Sequence, residues 1–341
     1  EIIMFRSSFF ALVLLCDTLT PDSRASVTEL AKTLIKKSNI RAGLCAVLGH
    51  EGTVAQEIAK SSKLLVHVRD PRPSAVSEVL KQSTLTKLGI QRLTAGQGSL
   101  KRLPYITHSI DLVIALQKGT PKDEILRVLR PHGIALIRNG KEWTQIKKPA
   151  LAGADNWSHW EKNPSNNPVS KDKVIKAPYM TQFMAGPFYI GMPAVTTAAG
   201  GRTFLAVGHI AHHKREWNML NKLIARNGYN GRILWTRDLP EGYLVHRSAF
   251  IATSDLFYIL MGNQCIKLDA QTGEVKGTIR IPKLEGEWKW MVMQNDVLYV
   301  LAGKKDPKVQ TTKGDRDFGG WSWADLSKGY YGKNGIYNRS S

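Results

Sequence analysis

A glycine-containing turn, Gly49-His50-Glu51-Gly52-Thr53, follows the apolar run Leu44 to Leu48 and precedes the helix-like stretch Val54 to Lys60. A strand that turns into a helix this way exposes backbone N–H groups, which can receive a ligand's polar groups. About twenty residues beyond the turn, after the apolar run Leu64 to Val68, stands Asp70. Nucleoside sites place a carboxylate there to accept hydrogen bonds from ribose hydroxyls. Aspartate before Pro71 is equally a favoured turn residue, so both roles stay open. A further acid, Asp111, lies at the start of the apolar run Ile110 to Leu116.

Other chemistry-bearing residues point less sharply. The three cysteines, Cys16, Cys45 and Cys265, show no CxxC spacing, so neither a zinc site nor thioredoxin-like chemistry is indicated. His209-Ile210-Ala211-His212-His213 gathers three imidazoles without a nearby carboxylate and reads as a polar insertion between strands. His159, between Trp157 and Trp160, reads as a hydrogen-bonded packing residue. Trp288, Trp290, Trp321 and Trp323 read as packing groups, with carbohydrate stacking the alternative. No metal site and no catalytic residue is assigned.

The elements that must position the first set alternate between strand and helix. Helices are expected at Val27 to Lys36, Val54 to Lys60, Ser74 to Lys81 and Lys122 to Leu129. Strands are expected at Leu44 to Leu48, Leu64 to Val68, Ile90 to Thr94, Ile110 to Leu116 and Ile134 to Ile137. This order implies a parallel sheet with helices on both faces, an α/β Rossmann-like domain. The segments VLGHEGTVAQEIA, VHVRD, SIDLVIAL and ILRVLRPHGIALI resemble, in order, landmarks of class I S-adenosylmethionine-dependent methyltransferases. The resemblance implies that Gly49 turns the chain under the methionine part of the cofactor, with Glu51 at the mouth of the site and Gly52 leaving room in the same cofactor-binding turn, that Asp70 holds the ribose, and that Asp111 sits beside the reaction centre. Glu51 and Thr53 stand where the family has glycine, Val47 where it has an acid, and its final strand pair is missing after Asn139-Gly140. A degenerate S-adenosylmethionine site is therefore the first expectation, an active methyltransferase the alternative.

The rest of the chain repeats itself. Ala194 to Val207, Ala249 to Leu260 and Trp290 to Leu301 each read as two apolar strands around a tight polar turn. In the second copy, Cys265 to Val275 adds a strand, an Asp-x-x-x-Gly turn and another strand; Leu223 to Trp235 is its counterpart in the first. Four-stranded units recurring at about forty to fifty-five residues suit propeller blades. LDAQTGEV and the ILW ending resemble the PQQ-like, quinoprotein-type repeat, and the resemblance implies an all-β partial β-propeller. The family's quinone enzymes carry calcium ligands and often adjacent cysteines. Adjacent cysteines are absent and at most three blades are present, so PQQ binding is not expected; quinone-dependent oxidation is the second alternative.

Composition sets the frame. With 48 Lys+Arg against 28 Asp+Glu, the 341-residue chain carries a formal charge of +20, which favours polyanionic partners. The charge is dispersed and no basic stripe is interleaved with aromatics, so no specific nucleic-acid binding is expected. Arg6 precedes the apolar run Phe9 to Cys16, too short to span a bilayer. With Ser23-Arg24-Ala25 behind it, the run reads as an export signal cleaved after Ala25, leaving no membrane span, with a lipoprotein anchor at Cys16 or an uncleaved membrane anchor as the competing readings. Met4 is the natural initiator. The expected organisation is a signal peptide at 1–25, a Rossmann-like, methyltransferase-like domain at 26–148, a connector at 149–190 and a truncated propeller at 191–341. The function expected is that of an exported binding protein engaging a protein or polyanion through the propeller.

Overall fold

The computed structural model describes residues 21–303 except 52, 187–191, 211–213, 241, 242, 244 and 246–249. Most of the expected signal segment, Gly52, the second and third histidines of the 209–213 run, and Trp321 and Trp323 lie outside the described residues.

The first domain is a six-stranded sheet of order β3-β2-β1-β4-β5-β6. Its strands are β1 (Ala42–Leu48), β2 (Lys63–Asp70), β3 (Leu93–Gln97), β4 (Ile110–Ala115), β5 (Leu129–Asn139) and β6 (Glu142–Lys147). Strands β1 to β5 run parallel, and β6 is antiparallel to β5. Every residue of β4 is buried, as an apolar run covered on both faces must be. Cys45 and Val47 of β1 pack with helices α1 (Pro21–Ser38), α2 (Val54–Lys60) and α3 (Pro73–Leu85). Ala46 and Leu48, on the opposite face, pack with α4 (Lys122–Val128). The strand order reverses between β1 and β4, which puts a ligand crevice at the carboxyl ends of those strands.

Two expectations change here. The strand expected from Ile90 begins at Leu93, because Ile90 is exposed in a turn. The sheet does not stop at Asn139-Gly140, since β6 returns along β5 from Asn139↔Glu142 to Ile134↔Lys147. Its sequence EWTQIK is largely exposed, and an edge strand of that polarity gives no apolar run to find.

Among the described residues the second part is built of antiparallel β-strands, with one short 3-10 helix, Lys214–Met219, between the second and third of them. One four-stranded meander contains β7 (Met192–Ala199), β8 (Arg202–Ile210), β9 (Lys222–Asn227) and β10 (Ile233–Asp238). A second contains β11 (Phe250–Ala252), β12 (Leu256–Met261), β13 (Gln264–Asp269) and β14 (Val275–Arg280), and β15 (Glu287–Gln294) pairs with β16 (Val297–Gly303). The first strands of the three sheets neighbour one another, β11 touching both β7 and β15. Two meanders and a hairpin form no closed ring among the described residues.

Repeat chemistry explains the packing between sheets. Asp269 accepts the N–H groups of Gln271 and Thr272, closing the Asp-x-x-x-Gly turn. Gly273 there has φ +76, and a Cβ on it would lie 2.6 Å from the Trp235 ring. Trp235, from the ILW ending of the first meander, donates its indole N–H to Ala270 of that turn. Phe204 and Phe257, 4.7 Å apart between ring centroids, fill the space between the two meanders.

The connector is bound to all three sheets. Trp157 exchanges both backbone hydrogen bonds with Ala198 of β7, at 2.7 and 2.6 Å. The carbonyl of Ser158 accepts the N–H of Ala252 in β11 at 2.9 Å, and His159 Nε2 accepts the N–H of Met293 in β15 at 3.1 Å. Three successive residues thus hold one sheet each.

Candidate functional site

The carboxyl ends of β1, β2, β4 and β5 carry the polar residues of the crevice. β1 stops at Gly49, whose φ of +86 turns the chain sharply toward α2. A Cβ on Gly49 would lie 2.5 Å from the Gln117 side chain, so the glycine lets Gln117 lie against the turn. The backbone N–H of Gln117 donates to Leu48 O, holding the residue beside the end of β1.

Asp70 closes β2 with its side chain fully buried. One carboxylate oxygen, Oδ2, accepts the backbone N–H of His50 at 2.7 Å and Arg72 Nη2 at 2.8 Å. The other, Oδ1, accepts the Arg72 backbone N–H at 2.8 Å and Arg72 Nε at 2.9 Å. Burial pushes this carboxyl's pKa up, but the bonds from Arg72 and His50 outweigh it and leave it below the ordinary value. Asp70 is therefore an anion lashed to the β1–α2 turn, one strand away from the strand-order reversal between β1 and β4. Arg72 also donates to His50 O at 3.1 Å, so its guanidinium lies across the same turn.

Glu51 forms an ion pair with Arg138 near the end of β5. Because β4 lies between β1 and β5, this pair reaches across the mouth of the crevice. Thr53, at the N-cap of α2, makes no side-chain cap hydrogen bond, and its buried Oγ1 has no hydrogen-bond partner among the described residues. Gly52 lies outside the described residues.

Asp111 is placed elsewhere. It is the second residue of β4, at the amino edge of the sheet and away from the crevice, so it does not join Gly49, Glu51 and Asp70. It is fully buried, and Oδ1 accepts Arg130 Nε and Asn227 Nδ2, each at 2.6 Å. Oδ2 accepts the Leu44 N–H at 2.9 Å and Asn230 Nδ2 at 2.8 Å. Asn227 ends β9 and Asn230 lies in the turn that follows it, so this carboxylate joins the α/β sheet to the first meander. Apolar runs carry no record of which strand end faces a ligand, and the expected place beside a reaction centre gives way to this clasp.

His159 keeps the packing role expected of it. Nε2 accepts from Met293 and must be unprotonated, so Nδ1 carries the proton toward Ser158 Oγ, 2.7 Å away. Burial lowers its pKa to about 4, which keeps the ring neutral. Among the described residues no group of three or more His, Cys, Asp or Glu is arranged to hold a metal ion. No described helix is long and apolar enough to cross a membrane.

Sequence reasoning missed Arg72, Arg138 and Gln117. The first has a local signal, an arginine two residues after a strand-ending acid; Arg138 and Gln117 reach the crevice only through the sheet.

Strand order and the alternation of strand and helix define the first part as a doubly wound, Rossmann-like α/β domain, here followed by antiparallel β-sheets. No family model and no curated protein matches the sequence. Among solved structures, the N-terminal part is similar to a putative S-adenosyl-L-methionine-dependent methyltransferase from Methanococcus maripaludis, at 24% identity and TM-score 0.31, over 33% of this chain and 55% of that one. It is also similar to a putative sarcosine dimethylglycine methyltransferase from Galdieria sulphuraria, at 17% identity and TM-score 0.31, over 34% and 47% of the two chains. A third is a geranyl diphosphate C-methyltransferase from Streptomyces coelicolor, at 9% identity and TM-score 0.31, over 34% and 46%. The chain spans about half the length of these structures.

Proposed function

We propose that the α/β domain binds a nucleoside cofactor of the S-adenosylmethionine class and that the chain is a methyltransferase-like protein. The observation that carries this reading is Asp70, a buried anion at the end of β2 tied to the turn after β1, where a ribose is received in folds of this type. Asp70 stands where the ribose end of such a molecule would be held, although His50 and Arg72 now donate to both of its oxygens. When bound, S-adenosylmethionine supplies an electrophilic methyl group. The chain's own residues would hold its ribose at Asp70 and offer the unpartnered Thr53 hydroxyl beside the turn. Glu51, now paired with Arg138, is the carboxylate within the turn itself.

Calorimetric titration of the full chain with S-adenosylmethionine tests the reading. Binding below millimolar, removed by Asp70→Ala, is expected; no binding at millimolar cofactor in a folded sample refutes it. A second reading, a binding protein whose α/β domain is only a scaffold, is favoured by the saturation of Asp70, which already accepts four hydrogen bonds. Export, a propeller architecture and a polyanionic partner for the +20 chain remain proposals from the sequence. Retention on heparin that weakens with salt tests the last of these.

A further inference from the structure

The arrangement of Arg72 goes beyond what a turn needs. The backbone N–H groups of His50 and Arg72 already give each oxygen of Asp70 one donor, fixing the carboxylate. The Arg72 side chain then adds a second donor to each oxygen, Nε to Oδ1 at 2.9 Å and Nη2 to Oδ2 at 2.8 Å. A guanidinium edge and a ribose cis-diol are alike in one respect. Both present two parallel donors spaced to meet the two oxygens of one carboxylate. The side chain is about half exposed while Asp70 is fully buried, so the fork covers the carboxylate from the solvent side.

We propose that Arg72 is an internal competitor for the ribose site: its guanidinium takes the two acceptor positions a ribose diol would use, so a nucleoside binds only when Arg72 swings away. This rests on the nucleoside-binding reading above. It makes Arg72 a determinant of affinity that touches no reacting atom. Arg72→Met keeps the aliphatic stem and leaves both backbone donors to Asp70 in place. The half-exposed position also makes the substitution compatible with folding.

S-adenosylhomocysteine is titrated into four full-length proteins: wild type, Arg72→Met, Asp70→Asn, and the double variant. Equal or better folding of each is checked by thermal melting. Arg72→Met is expected to bind roughly tenfold or more tightly than wild type, a difference of about 1.4 kcal/mol per factor of ten. The gain should vanish when Asp70→Asn is added, because the carboxylate is what Arg72 and the ribose share. If wild type and Arg72→Met both bind and the latter is equal or weaker, the competitor role is overturned while the nucleoside reading stands. If neither binds at millimolar ligand, the nucleoside reading itself falls. A gain that survives Asp70→Asn also overturns the proposal, since it would arise from general loss of positive charge. If Arg72→Met fails to fold, Arg72→Gln replaces it, alone and with Asp70→Asn, and the same criteria apply.

Discussion

Removing the Asp111 carboxylate should be among the most damaging single changes available to this chain. Asp111→Ala withdraws four acceptor contacts at once, leaving Arg130 Nε, the Leu44 N–H, Asn227 Nδ2 and Asn230 Nδ2 without them. Arg130 is only 2% exposed and, among the described residues, keeps its bond to Pro131 O alone, so its charge stays buried without the anion that compensates it. Breaking a buried ion pair from one side costs about 3–5 kcal/mol. The Leu44 N–H and the Asn227 amide, which lose this acceptor, add to the cost, while Asn230 Nδ2 keeps Ser109 O; the total stability of a typical domain is about 5–15 kcal/mol. Urea unfolding of the full chain, followed by tryptophan fluorescence, reads the loss directly. Adding Arg130→Met removes the stranded charge and should recover part of it, because apolar replacement of a buried pair is often neutral. A loss under about 1 kcal/mol for Asp111→Ala would show that this carboxylate is not the clasp described. An Arg130→Met addition that worsens the single variant would show that the stranded charge is not the source of the cost.

Three further outcomes follow from the same geometry. His159 has its pKa lowered from 6.5 to about 4, so the folded state refuses a proton that the unfolded chain accepts between those values. Its contribution is complete above pH 6.5 and is lost as the pH falls toward 4. His159→Gln, which can still accept from Met293, should therefore narrow its stability gap to wild type between pH 7 and about 4.5 in thermal melts; a gap independent of pH refutes the neutral-imidazole account. Gly273→Val should cost at least about 2 kcal/mol, because positive φ disfavours a branched residue and the Trp235 ring stands in the way. A near-neutral urea midpoint would contradict that. Glu51→Gln breaks a partly exposed ion pair and should change stability by less than about 1 kcal/mol, as a larger shift in the same assay would show otherwise.

The α/β order was legible because strands buried on both faces are continuous apolar runs: β4, IDLVIA, could hardly be read otherwise. Asp70 was legible for a similar reason, since its place is set by local spacing along one βα unit. Asp111 was not, because whether a strand-start acid faces a ligand or another sheet depends on residues 116 and 119 positions away, Asn227 and Asn230. β6 escaped because an edge strand is polar, and Arg138 because its partner Glu51 is 87 residues distant. The repeat gave the hairpins and the Asp-x-x-x-Gly turn, whose chemistry is local. The three-sheet contact of Trp157 to His159 leaves no periodic trace, since each residue does a different job.

That short strip has a consequence for how the β part is made. It is translated before any of the sheets it touches, so each meander leaving the ribosome finds its contact point already waiting and need not search for its neighbours alone. Expression of a piece beginning at Met192 would discard this spindle. The sheets would then have to find their mutual orientation through apolar faces, a route more open to misassembly.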